Sequence, residues 1–320
     1  MSGAQSEADP LTMSLPIHAP YDGSSKPFTI GLKPLDLADW IEIDDTFDLQ
    51  LREKRRLEAE IPGEVFVAEA GTEDAQREVL DLLRVHLVQR FPDRYRAGCK
   101  GIAIAGHPAL ATEAMRTLPP LRAAASLVQE DLILMRRGED GWRLCAGSLC
   151  FPSSWSLREK FSKPLHEIHA PVPGFGGGTR NADLIARIFD RLAVEQPVVR
   201  RNWSIQSGTD LYRPALRSER AMVEVERPSK FPGGVIRVHC FIRIERQTLR
   251  KLPKSGDILF TIRTHLDPLA ALARHPDGSA LAASFAAQLR GLDSRELDYK
   301  GLSADRDRLV EILVDMAGRD

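Results

Sequence analysis

The alternating stretch Val235–Leu249 constrains the fold more than any other part of the sequence. Its apolar members are Ile236, Val238, Cys240, Ile242 and Ile244, and they alternate with Arg237, His239, Phe241, Arg243 and Glu245. A period of two predicts a β-strand with one buried face and one polar face. The turn residues Leu252–Gly256 and a second apolar run, DILFTIRTH, follow at once. Together these stretches predict an antiparallel hairpin.

A second hairpin and several helices complete the expected fold. Two apolar runs between Leu127 and Phe151 are joined by Arg137–Gly141, which predicts a strand, a turn and a strand. Helices are predicted over Asp44–Ala59, over Thr72–Phe91, over Thr179–Val194 and in the Ala-rich region after Pro268. Because strands and helices do not alternate, the order favours an α+β fold. We expect a five-stranded antiparallel sheet with helices crossing one face.

The same patterns divide the chain into four regions. Residues 1–25 are polar and rich in Pro and Gly, and are predicted to be a disordered N-terminal segment. Residues 26–125 are predicted to form a helical N-terminal region, and residues 126–268 the core that contains the sheet. Residues 269–320 are predicted to form a C-terminal helical extension.

Composition limits the classes of partner and compartment. The formal net charge of −1 gives no electrostatic basis for binding nucleic acid or an anionic membrane. The cysteines, Cys99, Cys145, Cys150 and Cys240, form no C-x-x-C pair, which favours reduced thiols over a zinc site or a disulfide framework. The N-terminus lacks the pattern of a signal peptide, and no apolar run reaches the ~18 residues of a membrane span. We therefore expect a soluble, cytoplasmic protein.

Two histidines, His166 and His169, are candidate ligands because of their position at the end of a short helix. They lie three residues apart, hence on one helix face, and Pro171 and Pro173 follow. A histidine on such a terminating turn can project its ring into a cavity. The residues alone leave two interpretations of His169 open: an axial ligand of a metal or haem, or a hydrogen-bonded structural histidine.

The glycine run Gly174–Gly178, which contains Gly176, precedes a predicted helix that begins near Thr179. Backbone N–H groups at such a turn can bind an anion, for example a haem propionate. The alternative is a flexible loop capped by Thr179. The run matches neither the phosphate-binding loop nor the dinucleotide-binding fingerprint.

Charged and aromatic residues on the predicted strands supply further candidates. Glu130 and Asp131 are consecutive acids within a strand, where they either hold a cationic substrate or protect an exposed edge. Trp203 either packs in the core or contacts a ligand. Arg246 and Arg263 lie on neighbouring strands, where they face either a pocket or solvent.

Several short motifs occur in an order that resembles one known family. They are Gly31-Leu32-Lys33-Pro34-Leu35 with Trp40, Gln129-Glu130-Asp131-Leu132, Phe151-Pro152-Ser153-Ser154-Trp155, Lys163-Pro164-Leu165, Ile168-His169-Ala170-Pro171-Val172-Pro173, Arg201-Asn202-Trp203, Glu245-Arg246-Gln247-Thr248-Leu249 and Phe260-Thr261-Ile262-Arg263-Thr264. The series resembles the α-subunit family of haem-dependent oxidative N-demethylases. It spans roughly residues 28–268 and is more specific than any one motif.

The resemblance implies a fold and an activity. The expected fold is a haem-binding, PAS-like antiparallel sheet with helices that form one wall of the pocket. The expected cofactor is haem b, with His169 as proximal ligand of the iron and His166 as the fallback. The expected reaction uses O₂ to remove a methyl group from a small secondary amine such as dimethylamine, releasing formaldehyde. Electrons are expected from separate NADPH-dependent flavin and [2Fe–2S] proteins. His265 stands where an aromatic residue is expected in many relatives, which leaves the substrate open.

Within that implied activity, Asp131 or Glu130 is the candidate holder of the protonated amine. Arg263 or Arg246 is the candidate for stabilising negative charge on oxygen or for binding a propionate, and Trp203 and Gly176 are further cofactor contacts. Two other functions stay open: a non-catalytic haem sensor or carrier, and an interaction module without a cofactor.

Overall fold

A computed structural model describes residues 15–98, 101–106, 117–214, 228–234 and 236–318. The strands are β1 Lys33–Pro34, β2 Phe66–Ala68, β3 Tyr95–Gly98, β4 Gly101–Ile104, β5 Asp131–Gly138, β6 Gly141–Ser148, β7 Val198–Ser207, β8 Cys240–Lys251 and β9 Ile258–Pro268. The α-helices are α1 Phe47–Glu60, α2 Pro62–Val65, α3 Glu73–Arg90, α4 Pro120–Ala125, α5 Leu157–Lys160, α6 Leu165–Ile168, α7 Arg180–Arg191, α8 Ile236–His239, α9 Gly278–Gly291, α10 Ser294–Lys300 and α11 Arg306–Ala317. Within these ranges, none of the helices has the length and apolar character needed to cross a bilayer.

The main sheet is antiparallel throughout and confirms the α+β class. Its strands have the order β1-β7-β8-β9-β5-β6-β2, and β3 and β4 form a separate hairpin. The sheet thus contains seven strands where the sequence predicted five. The two predicted hairpins account for β5, β6, β8 and β9, whereas β7 was not located from the sequence. The edge strands β1 and β2 have two and three residues. They are too short to show the alternation from which a strand can be predicted.

The long elements lie close to their predicted positions, with one local difference. The hairpins β5–β6 and β8–β9 and the helix α3 are confirmed. The strand predicted from Val235 begins instead at Cys240, and Val235 itself lies outside the described residues. Ile236–His239 form one turn of helix, which buries Ile236 and leaves Val238 70% exposed. The alternation there reflects an amphipathic turn and not a pleated strand.

The register of the central strands assigns each side chain to one of two faces, because directly paired residues lie on the same side of a sheet. We call one side the open face: Val198, Arg200, Asn202, Glu245, Gln247, Leu249, Phe260, Ile262, Thr264, Asp131 and Ile133. The other is the covered face: Val199, Arg201, Trp203, Ile244, Arg246, Thr248, Thr261, Arg263, His265, Leu132 and Leu134.

The covered face supports two apolar cores. At one end, Leu132, Leu134 and Leu259 pack with the apolar residues of α1, α3 and α4. At the other end, Trp203 and Ile244 pack with the apolar residues of α9 and α11. Among the described cysteines, Cys145, Cys150 and Cys240 are buried free thiols, and Cys99 lies outside the described residues.

The open face meets the short helices α5 and α6 and the longer helix α7. Thr179 caps α7 by accepting a hydrogen bond from the Ala182 backbone N–H at 3.2 Å, as expected for a threonine before the first turn. Ile185 and Phe189 lie four residues apart on one side of α7 and are its buried positions. Both belong to the apolar cluster that includes Ile133, Leu249 and Ile262 of the open face. This wall of helices positions the candidate site.

Candidate functional site

His169 ends α6, which confirms the predicted helix end. Its backbone N–H donates to the Leu165 carbonyl oxygen at 2.9 Å, and its φ and ψ of −92° and −4° are those of a last helical turn. Pro171 follows two residues later and prevents continuation, since the residue before a proline avoids the α region. The imidazole ring centroid lies 6.5 Å from that of Phe175. The ring thus sits at the helix wall beside an aromatic side chain.

The surroundings of His169 keep its imidazole neutral. Burial lowers the pKa of His169 to about 4, and the positive charges of Lys160 and Arg200 act in the same direction. The Leu165 backbone opposes this by raising the pKa. A neutral imidazole has an unshared electron pair at one ring nitrogen, which is the form that ligates iron or zinc. The local structure therefore favours a ligand over a proton donor at neutral pH.

Partly buried apolar residues pack against the open-face cluster that contains Phe175, the ring neighbour of His169. They are Phe28, Ile30, Leu32, Trp155, Phe161, Leu165, Ile168, Val172, Val198 and Phe260. Apolar side chains in the interior of a packed domain normally lose contact with solvent. Their partial exposure shows that the helices do not fully cover the apolar surface on this side of the sheet. A concave apolar surface with few polar groups is typical of a cofactor site.

The central strands provide independent evidence that the open face is not fully covered. On the open face, Glu245 and Gln247 of β8 and Phe260 of β9 keep partial exposure. On the covered face, the intervening residues Arg246 and Thr248 are buried. Strands β8 and β9 lie in the middle of the sheet, so their exposure does not arise at an edge. The helices therefore leave part of the open face uncovered.

Arg200 adds a positively charged side chain to the open face. It lies on the open face of β7, and its Nε atom is buried with no hydrogen-bond partner among the described residues. Burial lowers the pKa of its guanidinium, while Glu245 and Tyr299 oppose that change. A carboxylate would bind this guanidinium through charge-assisted hydrogen bonds.

The carboxylates of the predicted catalytic acids, Asp131 and Glu130, accept hydrogen bonds from the surrounding main chain. The Asp131 carboxylate accepts from the backbone N–H groups of Cys150 and Phe151, both at 2.8 Å, and is fully buried. Burial raises its pKa, and Lys54, whose Nζ lies 3.8 Å away, opposes the rise. Glu130 accepts from the Glu42 backbone N–H at 3.0 Å and is also fully buried. Both carboxylates therefore hold loops in place.

The predicted arginines, Arg246 and Arg263, lie on the covered face of the sheet. Arg246 donates to the carbonyl oxygens of Trp40 and Asp39, and its Nε lies 2.9 Å from Glu42 Oε1. Arg263 donates to Gln50 Oε1 at 2.8 Å and pairs with the Asp44 carboxylate. His169 and these two guanidinium groups are separated by the sheet, so they do not form one site.

The other predicted contacts divide between the two sides. Trp203 lies on the covered face, where its ring packs against Phe285 and its Nε1 donates to Gln288 at 3.0 Å. The Cα of Gly176 lies near the loop that follows His169, because a Cβ there would be 3.7 Å from Ala170. His166 is exposed and lies beside Gly177. The structure thus groups His169, His166 and Gly176 on the open-face side.

Nothing in the sequence singled out Arg200, and Glu245 and Gln247 were expected to contact a ligand only if their strand lined a pocket. The alternation in β8 contained a usable signal, because Glu245 and Gln247 share a face that excludes Ile244 and Arg246. For Arg200 no comparable signal existed. Its neighbour Arg201 has the same chemistry, and only the packing of the layers distinguishes them.

Residues 31–310 match the family described as haem-dependent oxidative N-demethylase, alpha subunit-like. The match covers most of the chain and includes His169, Arg200 and the whole main sheet. The chain therefore belongs to this family.

Proposed function

We propose that this member of the haem-dependent oxidative N-demethylase alpha-subunit-like family binds haem b above the open face, where His169 would hold the iron. The observation that carries the proposal is the neutral His169 imidazole beside an apolar surface that is not fully covered. The long antiparallel strands and the helices α5–α7 over one face support a PAS-like haem-binding core.

The residues present fit such a group in three respects. The apolar lining suits the porphyrin ring. The buried Arg200 guanidinium, unsatisfied at Nε among the described residues, suits a propionate carboxylate. The backbone near Gly176 lies beside the His169 loop and provides a second candidate propionate contact.

When bound, haem supplies the O₂ chemistry, and the protein supplies binding, orientation and polarity. We propose that the substrate is a small secondary amine such as dimethylamine, oxidised with release of formaldehyde. The amine is protonated at neutral pH, so it needs an anionic or acceptor group on the open face. Electrons come from a separate NADPH-dependent protein with flavin and [2Fe–2S] centres, and the assembly works in the cytoplasm.

Glu245 is the carboxylate that we assign to the amine. It lies on the open face, paired in register with Asn202 and Thr264. Gln247 Nε2 donates to Glu245 Oε2 at 3.0 Å, which fixes the orientation of the carboxylate. Asp131 and Glu130 are excluded from this role by their buried contacts with backbone N–H groups. Glu245 would hold the ammonium group and accept its proton as the amine is oxidised.

Absorption spectroscopy of the purified full-length protein tests the haem site. We expect a Soret band in the wild type and its loss in His169→Ala, with an unchanged far-UV circular dichroism spectrum. His166→Ala is the matched control and should retain the band, since His166 is exposed. Full haem occupancy in His169→Ala would contradict the assignment.

A formaldehyde assay with dimethylamine, O₂ and an artificial reductant tests the reaction. Loss of a charge-assisted hydrogen bond is worth about 1.5–3 kcal/mol, so Glu245→Gln should lower kcat/KM about 10- to 100-fold. Glu195→Gln, at an exposed position, should have no effect. Haem binding without any formaldehyde from wild-type protein would instead favour a sensor or carrier.

A further inference from the structure

The covered face holds a second group of metal-ligating side chains, which the proposed haem chemistry does not use. His18 lies in the segment before β1, Glu42 lies between β1 and α1, and His265 lies on β9. The Nε2 atoms of His18 and His265 lie 2.9 and 3.0 Å from the same oxygen, Glu42 Oε2. Three separate parts of the chain thus converge on one point.

The geometry of this cluster is close to that of a metal centre. One ligand atom from each of the three side chains lies within 4.8 Å of the other two. The two imidazole rings are nearly perpendicular, at 80°, with centroids 5.0 Å apart. Ligands about 2.0–2.2 Å from a tetrahedral zinc ion are themselves about 3.3–3.6 Å apart. Small side-chain shifts would therefore admit an ion between these groups.

Neighbouring groups already orient two of the three ligands. Arg246 Nε lies 2.9 Å from Glu42 Oε1, which is also 3.0 Å from His18 Nε2, and Oε2 is shared by the two rings. Asp44 Oδ2 lies 3.5 Å from His265 Nδ1, on the side of the ring opposite Glu42. A carboxylate behind a histidine is the usual supporting arrangement at zinc sites, because it fixes the ring and its tautomer.

We propose that His18, Glu42 and His265 bind a divalent transition-metal ion, Zn²⁺ by ligand type, which attaches the segment around His18 to the covered face. Two imidazole nitrogens and one carboxylate oxygen are a suitable donor set for Zn²⁺, and a water molecule would complete a tetrahedral site. Hard ions such as Mg²⁺ prefer oxygen ligands and should not bind.

The ion has an access route from solvent. A cavity of about 230 Å³ lies between the segment around His18 and strand β7, and its lining includes His18 and Arg201. The His18 side chain is 11% exposed and that of Glu42 is 23% exposed, whereas that of His265 is 6% exposed. The ion would therefore meet His18 and Glu42 first.

Arg201 opposes metal binding in a way that can be measured. Its Nε lies 3.1 Å from His18 Nδ1, and because a guanidinium only donates, Nδ1 accepts and Nε2 carries the proton toward Glu42. Metal binding at Nε2 requires the ring proton to move from Nε2 to Nδ1, so the exposed Arg201, which donates to Nδ1, must turn aside. Removing this side chain should strengthen binding, and its charge also repels the cation.

Isothermal titration calorimetry on the haem-containing full chain, after removal of adventitious metal with a chelator, tests the proposal. We expect one Zn²⁺ per chain and no binding of Mg²⁺. His265→Gln keeps a hydrogen-bond donor for Glu42 but removes a ligand, and should weaken Zn²⁺ binding more than about 100-fold. His18→Ala should do the same without altering the sheet, and Arg201→Ala should strengthen binding about threefold or more.

His239→Ala, at an exposed histidine of α8, is the matched control and should bind Zn²⁺ like the wild type. The haem absorption spectrum should be unchanged in every variant, because the cluster lies on the other side of the sheet. Absence of Zn²⁺ binding in the wild type, or equal binding in wild type, His265→Gln and His18→Ala, would overturn the proposal. The three side chains would then form an ion-pair network only.

Discussion

Arg200 and Arg246 have the same side chain but different hydrogen-bond and ion-pair partners on the two faces of one sheet. On the covered face, Arg246 is surrounded by the Trp40 and Asp39 carbonyl oxygens and the Glu42 carboxylate. On the open face, Arg200 forms no such ion pair among the described residues, and its Nε is buried without a hydrogen-bond partner. The Nε of Arg246 also has no hydrogen bond, so the difference lies in the two carbonyl acceptors and the carboxylate around Arg246. This difference supports the proposed binding site on the open face.

The largest expected effect is the loss of folding stability when Arg246 is removed from its contacts with Trp40, Asp39 and Glu42. Arg246→Leu leaves the Glu42 carboxylate without a guanidinium, and removing one partner of a buried ion pair costs about 3–5 kcal/mol. Urea denaturation should show that loss in the free energy of unfolding. Arg137→Leu, which removes the exposed pair with Asp190, is the control and should change stability little. A small effect of Arg246→Leu would mean that the two faces do not differ in this way.

The second effect is the pH dependence of folding stability that arises from His169. Its pKa is lowered to about 4 in the folded state from 6.5, so below pH 6.5 the unfolded chain takes up the proton first. The folded apoprotein should therefore lose stability as pH falls from about 6.5 to 4, by about 1–3 kcal/mol for this residue. Stability curves of haem-free wild type and His169→Ala should converge as pH falls through that window. Curves that stay parallel would show that the ring is not desolvated.

The third test contrasts neighbouring residues on opposite faces. Arg200→Leu should lower haem affinity about tenfold, because one charge-assisted hydrogen bond is lost, and should leave apoprotein stability unchanged or raised. Arg201→Leu is the matched control on the covered face and should retain wild-type haem affinity. Haem transfer to a scavenging globin measures the haem affinity of both variants. Equal loss in the two variants would contradict the assignment of faces.

The smallest effect is expected at Gly176. A Cβ added there would lie 3.7 Å from Ala170, an ordinary contact distance. Gly176→Ala should therefore change thermal stability by less than about 0.5 kcal/mol, and haem affinity should stay close to that of the wild type. A large drop in haem affinity would show that the cofactor approaches this backbone more closely than a methyl group allows.

Much of the fold could be predicted because its signals are local. The alternation in β8 and β9 and the Arg137–Gly141 turn predicted both hairpins, and the helical period predicted α3. The edge strands β1 and β2 could not be predicted, since two or three residues show no period. Their pairing depends on distant partners in β7 and β6.

The candidate site was only partly predictable for the same reason. The end of α6 at His169 follows from nearby prolines, which act locally. The partners of Arg246 and Arg263 are Glu42 and Asp44, about two hundred residues earlier in the chain. The sequence therefore identified the charged residues but could not match them.

The sequence alone determined the α+β class, the two long hairpins, the helix end at His169 and the family resemblance. These features follow from periodicity, turn chemistry and ordered motifs, which are properties of short segments. Only the tertiary structure decided which face of the sheet is covered and which stays open. That choice depends on where the layers pack and on buried charges finding partners far away in the chain. Arg200 and Arg201 are chemically identical neighbours, and the packing of the layers alone gives them different surroundings.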